Sequence, residues 1–362
     1  TADNGGAVYN HGGSFIVVGS CFTDNHAVYG GAVYGDGDSL IIDGSNFTGN
    51  EAYESGGAIF NKGNNFSINS SKFIYNKASN GGAISNYDGN LNINDSKFIS
   101  NEALYGGAVY NNANLNINGS KFIDNNASSG GAVYNSGSNL NINSSVFTNN
   151  NATIGGVIYN IANLSVIDSN FNNNTAVNGA TIFNDNGITN INNSNFVNNI
   201  VNNSDILGSV IENLNGVLSI VSSNFTDNNV EYGAIIVNSD INILNISNSN
   251  FINNNATNAV IYNHNGSVNL NSLNFINNTI YLGGTVFNDL NGLLNITNSI
   301  FESNNATNGG TIINNGALNI VSSNFKNNLV EYYGTILNTG FLCINSSNFI
   351  NNTVKYGNVI YN

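Results

Sequence analysis

Short runs in which apolar and polar residues alternate recur along the whole chain. In one stretch they are Gly107-Ala108-Val109-Tyr110-Asn111, then Leu115-Asn116-Ile117, then Ser120-Lys121-Phe122. A period of two, enrichment in β-branched and aromatic residues, and Gly and Asn clusters between the runs are typical of strands joined by turns. No stretch combines a 3.6-residue apolar period with good helix formers, so helices are not expected.

These runs belong to an internal repeat. Fourteen Phe residues, from Phe22 to Phe349, are each followed three positions later by Asn, and their spacing is 24 to 26 residues except for one of 29. All but one of these Phe residues have Ser two positions earlier, and Leu273 is the departure. A six-residue motif, as in Gly5-Gly6-Ala7-Val8-Tyr9-Asn10, occurs fifteen times between them. The chain is therefore a tandem array of similar units.

Strands repeated in this way favour a solenoid. Stacking one period on the next aligns equivalent residues and pairs every backbone group with the coil above or below. The chain has no Pro, which would delete a ladder hydrogen bond from an interior strand. We predict an all-β parallel β-helix of about 14 coils, with three short strands in each coil of about 25 residues. Residues 1–362 are expected to form one continuous domain.

The alternation also predicts which side chains face inward. The fourth motif position is Val or Ile in every copy, and we place it in the core with Leu115, Ile117, Ser120 and Phe122 and their counterparts. The second position is small, which suits a crowded corner. The Asn of each F-x-x-N and the Asn that ends each motif, replaced once by Gly35, are expected to form amide ladders and to occupy left-handed corners. Ile200 to Leu207, within the 29-residue spacing, is predicted to bulge as a loop.

The fifth motif position should face outward, and it is aromatic in ten copies. A flat aromatic stripe bordered by amides suits carbohydrate recognition or lateral packing of rods. Aromatic residues also stack along an outer sheet face and protect its hydrogen bonds, and this second interpretation is preferred. The possible contact stripe consists of Tyr9, Tyr34, Phe60, Tyr110, Tyr134, Tyr159, Phe183, Tyr262, Phe287 and Tyr361.

Composition and charge argue against two classes of partner, nucleic acids and membranes. Asn accounts for 88 of the 362 residues, charged residues for only 8%, and the formal net charge is −14 without any Arg. This balance argues against nucleic acid as a partner, because phosphates need clustered cations. No apolar run is long enough to span a bilayer, so no membrane insertion is expected within this segment. The 41% of hydrophobic residues is ample for a core.

Few residues could form a catalytic or metal-binding site. The densest acidic patch, Asp36-Gly37-Asp38 with Asp43, is interpreted as a solvated turn rather than a weak calcium site. His11, His26 and His264 lack a metal-ligand spacing and are expected to be solvated. We therefore predict no catalytic, cofactor-binding or metal-binding residues and no cofactor.

Two further sets of residues are expected to face outward. Lys72, Lys97 and Lys121 fall on one row of consecutive coils, which we interpret as a solvated row rather than an anion site. Cys21 and Cys343 should face outward, too far apart for a disulfide with each other. Free thiols are favoured over thiols that link neighbouring rods.

The paired signatures G-G-A-[ILV] and F-x-x-N resemble the repeats of chlamydial polymorphic outer-membrane proteins. The Asn-rich form seen here, G-G-A-V-Y-N with S-x-F-x-x-N, more closely resembles adhesin-like surface proteins of methanogenic archaea, and the resemblance covers the whole chain. It implies a right-handed parallel β-helix that forms the exposed stalk of a secreted surface protein. No catalytic residues are carried over, because these motifs contain none.

The leading hypothesis is a non-enzymatic structural or adhesive rod at the cell surface, with carbohydrate or surface proteins as ligands. Because both chain ends lie within the repeat, we expect a segment of a longer surface protein or a subunit whose open ends meet neighbours. One alternative is a self-assembling extracellular filament with end-to-end or lateral self-association. Another is a carbohydrate-active β-helix enzyme of the polysaccharide lyase or hydrolase kind, since that fold also houses pectate lyases and polygalacturonases.

Overall fold

The computed structural model describes residues 2–202, 208–240 and 242–362. Every regular element among them is a β-strand, and the strands pair in parallel with the equivalent strand of the next coil. The chain is thus an all-β parallel β-helix of about 14 coils, as the repeat predicts. The described residues contain no helix that is long and apolar enough to cross a membrane.

The chain divides into two compact units. Unit 1 comprises residues 1–176 and 180–183, and unit 2 comprises residues 177–179 and 184–362. Each is a β-helix built from the same coil. One continuous domain over residues 1–362 stays a prediction.

Each coil contributes to four sheets. Sheet 1 contains the fourth to sixth motif positions, sheet 2 the Leu-x-Ile run, and sheet 3 the Phe run. Sheet 4 consists of short strands that follow F-x-x-N, and sequence analysis missed it. These strands are only two to five residues long, and many bury a single apolar side chain such as Ala127 or Val230, which is too little for an alternation signal.

In unit 1 the strands of sheet 1 are Val8–His11, Val33–Asp36, Ile59–Asn61, Ile84–Asn86, Val109–Asn111, Val133–Asn135 and Ile158–Asn160. Those of sheet 2 are Ser14–Val18, Ser39–Asp43, Asn65–Asn69, Asn90–Asn94, Asn114–Asn118, Asn139–Asn143 and Asn163–Ile167. Those of sheet 3 are Cys21–Thr23, Asn46–Thr48, Lys72–Ile74, Lys97–Ile99, Lys121–Ile123, Val146–Thr148 and Asn170–Asn172. Sheet 4 contains Ala2–Asn4, His26–Tyr29, Glu51–Ser55, Asn126–Ser129 and Asn151–Ile154, with isolated bridges at Lys77, Asn80, Glu102 and Tyr105 between them.

Two strands, Thr175–Asn178 and Ile182–Asn184, contain residues of both units.

In unit 2 the strands of sheet 1 are Gly208–Asn213, Gly233–Asn238, Ala259–Asn263, Gly284–Asn288, Ile312–Asn314, Ile336–Asn338 and Ile360–Tyr361. Those of sheet 2 are Gly187–Asn192, Gly216–Val221, Ile243–Ser247, Ser267–Asn271, Leu293–Thr297, Ala317–Val321 and Phe341–Asn345. Those of sheet 3 are Asn195–Val197, Asn224–Thr226, Asn250–Ile252, Asn274–Ile276, Ile300–Glu302, Asn324–Lys326 and Asn348–Ile350. Those of sheet 4 are Ile200–Val201, Asn229–Val230, Asn255–Ala256, Thr279–Ile280, Asn305–Gly309, Leu329–Tyr333 and Thr353–Gly357.

The predicted interior rows are confirmed. Leu115, Ile117, Ser120 and Phe122 are fully buried, as are most of their counterparts. The Phe rings of sheet 3 stack face to face with centroids 4.7 to 5.0 Å apart in unit 1 and 4.6 to 5.0 Å apart in unit 2. This spacing is close to the distance between neighbouring strands, so each ring fills the space above the ring of the previous coil.

The Asn of each F-x-x-N forms the predicted ladder. In unit 1 the Nδ2 of one Asn donates to the Oδ1 of the next at 2.8 to 3.1 Å, from Asn25 to Asn174. In unit 2 the same bond recurs at 2.9 to 3.1 Å from Asn199 to Asn352. The same Oδ1 also accepts from the backbone N–H of the preceding Asn, as Asn125 does from Asn101 at 3.1 Å. The ladder therefore satisfies both side-chain and backbone groups inside the corner.

The left-handed backbone lies one residue earlier than predicted. Asp24, Tyr75 and Ser100, each immediately before a ladder Asn, have φ of 54°, 54° and 52°. The ladder Asn itself does not have a positive φ, because its amide must point inward to bond with the next coil. Our assignment of the left-handed conformation to the ladder Asn was therefore wrong.

The second motif position lies at the crowded corner that the sequence predicts. A Cβ built on Gly82 would meet the Gly107 carbonyl oxygen at 2.2 Å. Residues larger than Gly occupy this position in five copies, as Ala180, Ser209, Ala234, Ala259 and Asn358. At Ser209, Ala234 and Ala259 the position belongs to a strand, in Gly208–Asn213, Gly233–Asn238 and Ala259–Asn263. The predicted loop at Ile200 to Leu207 falls largely on residues 203–207, outside the described residues, while Ile200–Val201 is a strand of sheet 4.

A single substitution should repair the ladder of motif Asn residues. Asn10 Nδ2 is buried without a partner, because Gly35 stands where the next amide is expected. In Gly35→Asn the new amide can accept from Asn10 and donate to Asn61 Oδ1, which lies 3.5 Å from the ideal Cβ. Leu40 Cδ2, at 3.1 Å, must shift by a few tenths of an ångström. We expect a gain of about 1 kcal/mol over Gly35→Ala in the free energy of unfolding by guanidinium.

Gly35→Ala is the matched control, because it adds the Cβ and restricts the unfolded chain without supplying an amide. An equal stability of the two variants would show that Asn10 does not use the new acceptor.

Candidate functional site

The structure places the ten stripe residues on the outer face of sheet 1, but most are not open to solvent. Tyr34, Phe60 and Phe183 are buried, Tyr110, Tyr134, Tyr159, Tyr262 and Phe287 are half-buried, and Tyr9 and Tyr361 are exposed. Their rings stack coil on coil, for example Tyr134 on Tyr159 with centroids 4.9 Å apart. Stacking covers the ring faces and leaves mainly edges exposed, so the stripe does not offer a continuous flat surface.

An open cleft occurs where this stripe meets other aromatic residues in unit 1. Tyr34 and Phe60 lie in register in sheet 1 and form its floor. Lys62 and Tyr87 follow the final motif Asn in consecutive coils and stand on one side, and Tyr29 stands on the other side, where sheet 4 ends. The cleft has a volume of about 290 Å³ and is lined by Asn4, Tyr29, Tyr34, Phe60, Lys62 and Tyr87.

The aromatic rings of this cleft contact one another. The centroid of Phe60 lies 5.2 Å from that of Tyr34, 5.4 Å from that of Tyr29 and 6.3 Å from that of Tyr87. Burial, followed by the nearby Asp36 carboxylate, raises the pKa of Tyr34, so its phenol keeps its proton at neutral pH. The cleft therefore combines apolar ring surfaces with neutral hydroxyl groups and one ammonium group.

A smaller cleft lies at the equivalent place in unit 2. Its volume is about 200 Å³, and its lining residues are Tyr232, Asn258, Tyr262, Leu282, Gly283 and Phe287. Asp289 stands beside it and accepts a hydrogen bond from the Tyr262 hydroxyl at 3.1 Å, and His264 Nδ1 lies 3.1 Å from the same carboxylate oxygen. Burial and the Asp289 carboxylate raise the pKa of Tyr262 far above its usual value. Its phenol is therefore a hydrogen-bond donor and not a base.

Asp289 behaves as a stable anion. Burial alone would raise its pKa, but hydrogen bonds from the Leu290 backbone N–H, His264 and Tyr262 outweigh it, and the pKa lies below its usual value. This side of unit 2 thus presents negative charge where the unit 1 cleft presents Lys62.

The three histidines are exposed, as predicted, and the sequence analysis missed that each has an acidic partner. Each faces a carboxylate one coil further on: His11 lies 3.5 Å from Asp36, and His26 lies 3.6 Å from Glu51. His264 and Asp289 form the third pair. The sequence contains the signal, because each partner stands 25 residues later, one coil away. Within the described residues no group of three or more His, Cys, Asp or Glu side chains is placed to hold a metal ion.

The lysine row and the cysteines lie where the sequence predicts. Lys72, Lys97 and Lys121 pair in register in sheet 3 with exposed side chains. Cys21 and Cys343 are exposed free thiols.

Glu212 occupies the outward fifth position, yet it is only 4% exposed. Its carboxylate oxygens lie 2.9 Å from Ser209 Oγ and 2.8 Å from Ser239 Oγ. Ser209 Oγ is also 3.0 Å from Asn178 Oδ1, and a hydroxyl has one proton to donate. A protonated Glu212 that donates to Ser209 satisfies both contacts. Burial raises the pKa of Glu212 to about 7.

The stability of the protein should therefore depend on pH through Glu212. The folded state binds this proton more tightly than the unfolded chain, so the stabilisation is complete below pH 4.5 and is lost as the pH rises through about 7. Glu212→Gln cannot ionise, and at pH 8.5 we expect it to be more stable than the parent by about 3 kcal/mol. Guanidinium unfolding from pH 5 to 8.5 measures the difference. Parallel pH profiles for parent and variant would contradict an ionising buried carboxyl.

Comparisons with known proteins found distant structural similarity only. No family model and no curated protein match the chain. Its structure is similar to an alginate lyase solved in complex with G6, at 10% identity and a TM-score of 0.39, covering 87% of this chain and 79% of that one. It is also similar to the A-module of the mannuronan C-5 epimerase AlgE6 of Azotobacter vinelandii, at 11% identity and a TM-score of 0.35, covering 95% and 91%.

A third similar structure is the surface protein and adhesin PfbA of Streptococcus pneumoniae, at 12% identity and a TM-score of 0.37, covering 90% of this chain and 92% of that one. All three TM-scores are below 0.5, so no function is taken from these proteins. The chain itself belongs, by its own geometry, to the class of parallel β-helix repeat proteins with asparagine ladders.

Proposed function

We propose that the chain is a non-enzymatic adhesive rod that is exported and displayed at the cell surface. This proposal is supported by the repetition of a single type of coil. In each coil the inward polar side chains form hydrogen bonds with the adjacent coils. The Asn ladders and the Phe stack recur through both units, and each links a coil to its neighbour. Such an array resists separation of its coils and presents a repeated surface for contacts.

Surface charge agrees with this role. Lys77, Lys326 and Lys355 each form an ion pair with a Glu of an adjacent coil, at 3.0 to 3.2 Å. All three lysines are exposed, so each pair contributes little stability. A surface rich in amide groups and poor in cations interacts weakly with nucleic acids and anionic lipids. Local features such as the clefts would then determine which ligand binds.

Surface display is tested by labelling intact cells of the source with a membrane-impermeant, amine-reactive biotin reagent. The exposed row Lys72, Lys97 and Lys121 supplies reactive amines. We expect labelled peptides from this row in intact cells, with a cytosolic protein unlabelled in the same sample. Labelling that occurs only after lysis would contradict surface display.

A carbohydrate-active enzyme is the second candidate, because His264, Asp289 and Tyr262 meet at the edge of the unit 2 cleft. Since the Tyr262 phenol keeps its proton, His264 oriented by Asp289 would have to act as the base. Incubation with uronate and neutral polysaccharides, followed by detection of new reducing or unsaturated ends, tests this candidate. Turnover that disappears in His264→Ala would establish an enzyme and contradict the rod proposal.

A further inference from the structure

The unit 1 cleft is lined by one positively charged side chain, that of Lys62. Lys62 is exposed, and within the described ranges its ammonium forms no ion pair. The same is true of Lys72, Lys97 and Lys121 in sheet 3, but of the lysines only Lys62 lines the unit 1 cleft. The chain has only seven lysines and a net charge of −14. A positive charge beside an aromatic cleft is therefore unusual on this mostly negative protein. It fits a ligand that carries a negative charge next to an apolar face.

The open aromatic surfaces of the cleft belong to its walls. Tyr29 is 37% exposed and Tyr87 is 51% exposed, whereas Tyr34 and Phe60 on the floor are below 10%. A flat ring entering the cleft therefore stacks against a wall and contacts the floor with its edge. Asn4 and the tyrosines of the lining carry amide and hydroxyl groups, which can bond with hydroxyl groups on a ligand.

We propose that this cleft binds a pyranose ring that carries a carboxylate, that is, a uronic acid residue of an oligosaccharide. The C–H face of the sugar packs on Tyr87 or Tyr29, its hydroxyl groups bond with Asn4 and the phenols, and its carboxylate pairs with Lys62. The volume of about 290 Å³ lies at the small end of the range for small-molecule pockets and suits one or two sugar rings. This inference rests on the adhesive function proposed above and names its ligand class.

The unit 2 cleft explains why the acidic sugar is assigned to unit 1 alone. Its floor and wall are similar, with Tyr262, Phe287 and Tyr232, but no lysine lines it and the Asp289 anion stands beside it. A uronate carboxylate would be repelled there. A carboxylate, Asp36, also stands near Tyr34 in unit 1, so Lys62 is the group that distinguishes the unit 1 cleft. The two clefts thus share the stacking surfaces and differ in the charge that selects the ligand.

The net charge of the chain limits how long the ligand can be. Attraction to Lys62 acts within about 8 Å at physiological ionic strength, while a long polyanion would also meet the acidic surface beyond the cleft. A short uronate oligosaccharide, or the acidic end of a longer neutral glycan, avoids that repulsion. Trigalacturonate and galactotriose are suitable probes, because their rings have the same stereochemistry and differ in the C6 carboxylate.

Isothermal titration of the full chain with each probe, supported by line broadening of the tyrosine ring resonances, tests the proposal. We expect trigalacturonate to bind about 3- to 5-fold more tightly than galactotriose, as for one exposed ion pair. Lys62→Gln should remove this preference without weakening galactotriose. Tyr87→Ala should weaken both probes about 10-fold by removing a stacking face.

Two substitutions outside the cleft serve as matched controls. Lys97→Gln removes an exposed ammonium from sheet 3, and Tyr53→Ala removes a tyrosine that is 78% exposed. Both should bind the two probes as the parent does. Equal affinity for the two probes, the same loss in Lys97→Gln as in Lys62→Gln, or no binding of either probe would overturn the proposal. Because cell labelling is independent of sugar binding, failure here leaves the surface-display result intact.

Discussion

Replacing Asn101 by Ala should reduce the free energy of unfolding by about 4 to 6 kcal/mol, because several buried groups lose their partners at once. Asn101 Oδ1 accepts from the backbone N–H and the Nδ2 of Asn76, both at 3.0 Å. Its own Nδ2 donates to Asn125 Oδ1 at 2.9 Å and to the Phe73 carbonyl at 3.0 Å. An Ala side chain supplies none of these bonds.

The loss should be measured by guanidinium unfolding together with hydrogen exchange, since coils of a solenoid can open locally. We expect faster exchange of the Asn76 backbone N–H in the variant. Asn141→Ala is the matched control: its amide donates to Asn116 Oδ1 at 2.9 Å, but on the exposed face of sheet 2. A comparable loss in both variants would show that burial is not what makes the inner ladder strong.

Replacing Phe122 by Ala should reduce the free energy of unfolding by about 3 to 5 kcal/mol through lost burial and a residual cavity. The ring is fully buried and stacks on Phe98 at 4.7 Å and on Phe147 at 5.0 Å. The strands on either side hold those two rings at the coil spacing, so neighbouring side chains cannot collapse fully into the gap. Thermal and guanidinium unfolding measure the change.

Lys121→Ala is the control for this variant, because Lys121 precedes Phe122 in the same three-residue strand and points outward. We expect a change of about 0.5 kcal/mol or less, as for most surface substitutions. Similar losses for the two substitutions would mean that the inward and outward assignment of sheet 3 is wrong.

The floor of the unit 1 cleft follows from the repeat. Tyr34 and Phe60 share the fifth motif position, so their alignment can be predicted once the coils are stacked. The walls do not follow in the same way. Tyr29, Lys62 and Tyr87 lie outside the motif, at positions occupied by different residues in other coils, so no repeated pattern identifies them.

The sequence by itself determined the coil: the alternation of apolar and polar residues, its period, the inward Phe, Val, Ile and Ser rows, and both Asn ladders. It did so because the same pattern occurs in nearly every coil, and only stacking in register buries all copies at once.

Only the tertiary structure decided which outward side chains are buried and which are exposed. Glu212 and Tyr34 share one motif position with Tyr110, yet the first two are buried and the third is half-buried. The difference comes from the neighbours, such as Ser209 and Ser239 around Glu212. Each such environment combines residues of adjacent coils with residues of sheet 4, whose short strands the sequence pattern does not reveal. Burial, charge pairing and the clefts therefore depend on contacts across coils, where the sequence varies from one repeat to the next.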